Sequence, residues 1–200
     1  MSNNDEQEES NIKTILIGNE GVGKTNLINV SIGKAFMERG KATLVGSFMK
    51  KEILINEKSY FLALWDTIGQ ERLRSLTKLY FNNSKIVIFV YDITDKKSFE
   101  GLISWEKDVK ELIGDDIIKG VIGNKQDLIL NEQVNEEEAI KYAKSINAKF
   151  RLTSAKMDPE GFNSFLQELL IDYINKNESR EKNLKLENKD KLKRNKKSCC

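Results

Sequence analysis

One octapeptide constrains this chain more than any other feature: Gly18-Asn19-Glu20-Gly21-Val22-Gly23-Lys24-Thr25. It fits glycine, four residues, Gly-Lys, then Ser or Thr. The apolar run Ile15-Leu16-Ile17 precedes it, and an amphipathic run, Asn26 to Ile32, follows. Strand, glycine-rich turn and helix start are the context a phosphate-binding loop requires, and they separate it from a chance match in a glycine-rich turn. Glycines let the backbone turn sharply and approach a ligand closely. Amide N–H groups then converge on the phosphates at the positive end of a helix. Lys24 supplies a point charge between β- and γ-phosphates, and the Thr25 hydroxyl is a candidate ligand of Mg²⁺. The loop alone does not choose between ATP and GTP.

Two hundred residues suit one domain with a tail. The near-neutral charge, +2, gives no nucleic-acid footprint, yet it conceals an acidic N-terminus and a basic C-terminus. No run approaches 18 apolar residues and no signal peptide opens the chain, so a cytosolic protein is expected. Histidine is absent, which removes the usual general base. Catalysis must therefore rest on positioning, Mg²⁺ and other side chains. The two cysteines, Cys199 and Cys200, are the last residues and suggest no structural disulfide.

Residues 1–10 are acidic and without period, and are expected to be disordered. Strands are predicted over about 12–17, 48–55, 59–65 and 86–91, around Val121-Ile122 with Ile117-Ile118, and at Phe150–Leu152. The second and third form a hairpin turning at Asn56-Glu57. A helix is predicted from Lys24 to about Ser31, burying Leu27, Ile28 and Val30. Residues 32–47 read as mostly loop, and a connection that long is usually functional. Leu102, Trp105, Val109 and Leu112 recur at helical spacing. Asn135 with Glu138 reads as a capping box, with Val134 stapled onto Ala139. Asp158-Pro159 starts a last helix whose apolar face runs through Phe162, Phe165, Leu166, Leu169, Leu170 and Tyr173. The alternation predicts a three-layer α/β fold with a mostly parallel six-stranded sheet, one antiparallel edge hairpin and helices on both faces. Ligands of such sheets sit at the C-terminal strand ends.

Three further constellations follow strands. Asp66-Thr67-Ile68-Gly69-Gln70 offers an Asp for Mg²⁺ through water, a glycine N–H for a γ-phosphate and a glutamine to orient attacking water. Asp-x-x-Gly alone is weak, because turns are rich in both residues. Asn124-Lys125-Gln126-Asp127 places a carboxylate that can accept from guanine N1–H and its 2-amino group. Adenine offers neither donor, and a buried Asp127 would be left unpaired. The Lys125 stem can lie across the base. Ser154-Ala155-Lys156 offers a backbone N–H to guanine O6. A phosphate-loop ATPase is thereby disfavoured.

With these motifs the chain, over roughly residues 11–175, resembles the Ras-like small GTPases and within them the Rab family. Phe48, Trp65, Glu71-Arg72, Ser75-Leu76-Thr77, Tyr80-Phe81, Tyr91-Asp92-Ile93-Thr94 and Trp105 favour Rab, and no insertion after Asp127 argues against Rho. The resemblance implies a nucleotide site of Glu20, Gly21, Val22, Gly23, Lys24, Thr25, Asn26, Phe36, Thr43, Asp66, Gly69, Asn124, Lys125, Asp127, Ser154, Ala155 and Lys156. Phe36 stands edge-on to guanine. Thr43 joins Thr25 and Asp66 around Mg²⁺, and Gln70, Lys24 and Thr43 serve hydrolysis. Residues 36–48 and 66–81 are the implied switches, ordered with GTP and loosened with GDP. It also implies a monomer cycling between the cytosol and the cytoplasmic face of an endomembrane in vesicle traffic. Its partners would be an exchange factor, a GTPase-activating protein, a GDP-dissociation inhibitor, a prenylation escort and effectors.

Three residues depart from the family pattern. Glu20 replaces a small residue near the γ-phosphate and predicts slow intrinsic hydrolysis. Val45 and Ile68 replace glycine and alanine, adding β-branched bulk to the switches. No arginine of the first switch plainly points inward, Arg39 being the one candidate, so turnover is expected to be slow until an activating protein supplies an arginine, a glutamine or both. A hydrolysis-poor scaffold locked to its nucleotide is the rival reading; a Ras- or Rho-type signalling GTPase ranks below it. The tail, residues 176–200, carries ten basic and four acidic side chains from Lys176 to Ser198. Lys176 to about Asn188 reads as a solvated or frayed extension of the last helix. Cys199-Cys200 after Lys191–Lys197 resembles the Rab geranylgeranylation signal, and two prenyl chains plus a basic patch suffice for stable anchoring.

Overall fold

The computed structural model describes residues 11–38, 43, 46–68, 75 and 79–197, with side chains described as far as Lys182. Six strands, β1 (Ile12–Ile17), β2 (Ser47–Ile55), β3 (Lys58–Asp66), β4 (Ile86–Asp92), β5 (Ile118–Asn124) and β6 (Lys149–Leu152), form one sheet. Its order is β2-β3-β1-β4-β5-β6, and every pairing is parallel except β2 with β3. Four α-helices are described: α1 (Lys24–Ser31), α2 (Lys96–Ile113), α3 (Glu136–Ser145) and α4 (Pro159–Lys197), with a 3₁₀ helix over Gln126–Asn131. The predicted six-stranded α/β sandwich with its edge hairpin is what forms.

Local chemistry accounts for these elements. All seven residues of β4 are buried, as a parallel strand covered on both faces demands. The edge hairpin turns on Asn56 and Glu57, both at positive φ (50° and 63°), the geometry of a two-residue turn matched to strand twist. Across it Phe48 stacks on Trp65, with centroids 5.2 Å apart. Asp95, Asn135 and Asp158 each cap a helix by accepting a backbone N–H, from Lys97, Glu137 and Gly161 respectively.

Two cores lie on the two faces of the sheet. On one, Leu16, Leu64, Ile88, Val90 and Ile122 meet Leu27 and Ile28 of α1 and Phe162, Phe165, Leu166, Leu169 and Leu170 of α4. On the other, Ile15, Ile17, Val87, Phe89 and Tyr91 meet Phe99, Leu102, Trp105 and Val109 of α2 and Ala139 and Ala143 of α3. Truncating a ring such as Phe165 to alanine costs about 3–5 kcal/mol in such a setting.

Two local expectations are corrected. Leu112 is exposed, and half-buried Ile113 closes the stripe of α2 instead. Leu112 sits at the margin of the helix's apolar face, where the neighbour one position on is better aimed at the sheet. The Asn135 box is not reciprocal: the Glu138 carboxylate takes the Lys96 ammonium of α2, which a capping turn leaves within its reach. Val134 and Ala139 do share one buried cluster. Helix α4 continues without a break through residue 175, and Asp116 pairs there with Lys176 and Arg180.

Candidate nucleotide site

The phosphate loop leaves the C-terminal end of β1, at the centre of the sheet. Gly18 has φ +147°, and a Cβ on it would stand 2.1 Å from the Val90 carbonyl oxygen, so the chain turns against β4 where no side chain fits. Gly23, at φ +97°, caps α1, and its missing Cβ leaves room for the Asn124 amide. Lys24 is buried, and its ammonium donates back to the carbonyls of Gly18 (2.7 Å) and Asn19 (2.9 Å). Burial pulls its pKa down to about 8, opposed by the charges of Asp66 and Glu20. Glu20 itself is exposed, and Val22 points its side chain into the core.

Thr25, Thr43 and Asp66 converge. The Thr25 hydroxyl donates to Asp66 Oδ2 at 2.8 Å, the Thr43 hydroxyl donates to the same oxygen at 3.3 Å, and the two hydroxyl oxygens lie 3.1 Å apart. Asp66 Oδ1 is buried without a partner among the described residues. Burial raises the Asp66 pKa, and the Thr25 hydrogen bond, the Lys24 charge and the Thr43 hydrogen bond oppose it. An oxygen-only donor set with one orphaned carboxylate oxygen suits a hard divalent cation. Among the described residues no group of three His, Cys, Asp or Glu gathers as a metal cluster.

The second pole is built on Asn124, 1% exposed at the end of β5. Its Nδ2 donates to the Val22 carbonyl at 2.8 Å, and its Oδ1 accepts the Ala155 N–H at 3.1 Å. One side chain thus ties the phosphate loop to the loop after β6. Ser154 donates to Asp127 Oδ1 at 2.5 Å and accepts from the N–H groups of Lys156 and Met157, which fixes the carboxylate. Asp127, in the 3₁₀ turn, is exposed, contrary to the expectation of a buried carboxylate. Lys125 adopts φ +67°, and its ammonium pairs with Asp92 at 2.5 Å. Phe36 is half-buried against the α1–α4 core, with the Lys156 ammonium 6.0 Å from its ring centre. The Asn26 side chain faces away from the loop, toward the backbone of Met37. Ile68 is buried. Gly69, Gln70, Arg39, Val45, Glu71-Arg72, Leu76-Thr77, Cys199 and Cys200 lie outside the described residues.

Sequence reasoning missed three supports of this site. Asn19 Oδ1 accepts from the Trp105 indole at 3.1 Å, which fastens the phosphate loop to α2. The buried Thr67 hydroxyl donates to the Leu16 carbonyl at 2.5 Å, which fastens the Asp66 segment to β1. Asp92 takes Lys125 on one oxygen and the Thr94 N–H and hydroxyl on the other. Thr67 and Asp92 stand at strand ends, the one hint of their roles, and nothing in the sequence points to the Asn19–Trp105 bond.

The sequence has counterparts among known proteins. The Ras family model matches residues 13–174. Ras-related protein Rab-21 of Geodia cydonium is 41% identical over 144 residues, 72% of this chain and 63% of that protein. Rab-21 of Homo sapiens is 39% identical over 160 residues, 80% of this chain and 69% of that protein. Rab-2B of Dictyostelium discoideum is 40% identical over 144 residues, 72% of this chain and 71% of that protein. The chain belongs to the Rab family of Ras-like small GTPases, proteins that bind guanine nucleotide and hydrolyse GTP.

Proposed function

We propose that this protein is a lipid-anchored GTP/GDP switch in vesicle-mediated transport, with residues 1–10 an acidic lead, 11–175 the nucleotide-binding domain and 176–200 a basic tail. The observation that carries the reading is the Asn124 bridge, which brings the phosphate loop and the Ser154–Asp127 pair to one place. Asp127 accepts from guanine N1–H and the 2-amino group, Lys125 lies along the base, Phe36 stands at its edge and the Ala155 loop meets O6. The phosphates lie along residues 20–26, where the loop N–H groups and Lys24 hold them. Reaching them requires Lys24 to leave the carbonyls of Gly18 and Asn19.

Thr25 and Thr43, with Asp66 through water, would hold Mg²⁺, and the unpartnered Asp66 Oδ1 supports that fit. When bound, the ion offsets phosphate charge. Gly69 meets the γ-phosphate and Gln70 orients the attacking water. Turnover depends on an activating protein, since an arginine supplied in trans is worth about 10³–10⁵-fold in this chemistry. Residues 36–48 and 66–81 present the nucleotide state to effectors and the exchange factor. Prenyl groups on Cys199 and Cys200, delivered by an escort protein and withdrawn by a GDP-dissociation inhibitor, hold the protein on the cytoplasmic face of an endomembrane. No described helix is long and apolar enough to cross a membrane.

The rival reading, a scaffold that keeps its nucleotide, is favoured by Glu20, whose charge reaches Lys24. Calorimetry with GDP and ATP tests the site: tight uptake of GDP alone is expected, and equal uptake of ATP overturns it. Single-turnover hydrolysis with and without an activating protein separates switch from scaffold. Loss of membrane recovery when Cys199 and Cys200 are changed to serine tests the anchor.

A further inference from the structure

Residues 34–38 cross the base end of the site without belonging to any strand or helix. Such a strap is held only by what its own groups can reach. Phe36, the residue set against the guanine, is followed at once by two fastenings. The Asn26 Nδ2 donates to the Met37 carbonyl at 2.9 Å, and the Met37 N–H donates to Asn26 Oδ1 at 3.0 Å. One carboxamide therefore satisfies both polar groups of one residue, as a neighbouring strand would. Neither Ser nor Asp supplies a fixed donor and acceptor together. Asparagine gains nothing as a helix former at this place in the first turn of α1, so its chemistry is spent outside the helix. One residue on, Glu38 Oε1 takes the Lys156 ammonium at 2.9 Å, joining the strap to the loop that carries Ser154 and Ala155.

We propose that Asn26 and the Glu38–Lys156 pair latch Phe36 over the purine and set how long guanine nucleotide stays bound. The inference rests on the guanine reading of the site. Asn26 and Glu38 are positioning residues: neither touches the base, and both act through Phe36. The two fastenings are unequal. Glu38 and Lys156 are solvent-exposed, and exposed pairs are worth little, so their loss raises the release rate about two- to fivefold. The paired hydrogen bonds of Asn26 hold the backbone itself, and their loss raises it about tenfold or more. The side-chain pair is also partly screened, so raising salt quickens release from the wild type more than from E38Q.

The test uses the full chain loaded with a fluorescent N-methylanthraniloyl GDP and chased with excess GDP in the presence of Mg²⁺. Asn26→Ala and Glu38→Gln are compared with the wild type, each also in a Phe36→Ala background. Faster release from Asn26→Ala and, to a lesser degree, Glu38→Gln, with both effects gone once Phe36 is alanine, supports the latch. Release within twofold of wild type for Asn26→Ala, or equal acceleration with and without Phe36, overturns it. If Asn26→Ala does not fold, Glu38→Gln with its Phe36→Ala cycle decides: release equal to that of the wild type, or equal acceleration with and without Phe36, overturns the latch. A wild type that takes up no labelled GDP overturns the guanine reading and the latch with it; uptake with unaltered release overturns the latch alone.

Discussion

Replacing Asn124 by alanine tests how much of the site one side chain holds together. Asn124 is 1% exposed, and its two partners, the Val22 carbonyl and the Ala155 N–H, belong to residues 1% and 3% exposed. Alanine leaves both groups buried and unpaired. Each unsatisfied group costs about 1–3 kcal/mol, so the loss should total about 2–6 kcal/mol. That is a large part of the roughly 5–15 kcal/mol by which domains are stable. For a chain of 200 residues it lowers the melting temperature by at least about 4 °C. Bound nucleotide adds its own stabilisation by mass action. Thermal or urea unfolding is therefore measured at several GDP concentrations and extrapolated to none. Asn124→Asp serves as a control of equal size: it keeps the acceptor for Ala155 but sets an oxygen against the Val22 carbonyl, and it should also destabilise. A loss below about 1 kcal/mol for Asn124→Ala at zero GDP would refute the claim that this bridge joins the two loops.

Gly18→Ala should abolish folding or nucleotide binding, because its Cβ meets the Val90 carbonyl oxygen at 2.1 Å, whereas Gly21→Ala, with nothing within 4 Å and φ +79°, should cost only about 1–2 kcal/mol. Equal melting temperatures for the two variants would contradict this. Hydrogen bonds from Lys119 and Lys110 hold the Asp115 carboxyl down at about 2, against an ordinary 3.8. The folded value is the lower one, so the group's stabilising contribution is full above 3.8 and is lost as pH falls toward about 2. Carboxyl-carbon NMR titration should find this value, and Lys119→Met should move it upward; an unchanged midpoint would refute the assignment. Glu20→Ser should hydrolyse GTP faster in a single turnover than the wild type, and an equal or slower rate would remove Glu20 as the cause of slow chemistry.

The layered fold was legible because each layer writes its burial into the sequence. Ile86–Tyr91 admits no charged residue, and the glycines around Lys24 tolerate few other backbones. The site was legible where a residue's chemistry faces the ligand, as for Lys24, Asp66 and Asp127. It was illegible where a side chain serves another part of the protein. Asn19 and Trp105 are far apart in the chain, and nothing in either segment announces their hydrogen bond. The resemblance sets Asn26 in the nucleotide site, yet its side-chain amide serves Met37. Leu112 illustrates another limit: periodicity fixes the centre of an apolar stripe more firmly than its edge.

The strand order has a consequence during synthesis. β1 emerges first but lies between β3 and β4, so it waits for both before its ladder can close. The face of the sheet bearing Leu16, Leu64, Ile88, Val90 and Ile122 waits longer still, because its cover from α4, Phe162 to Ile174, is translated late. At about 5–20 residues per second, a nascent chain that ends before Phe162 has, among the described helices, two over one flank and α1 over the other, and spends seconds in that state. The bare flank is a greasy surface on the ribosome, and the final helix removes it from water in one step.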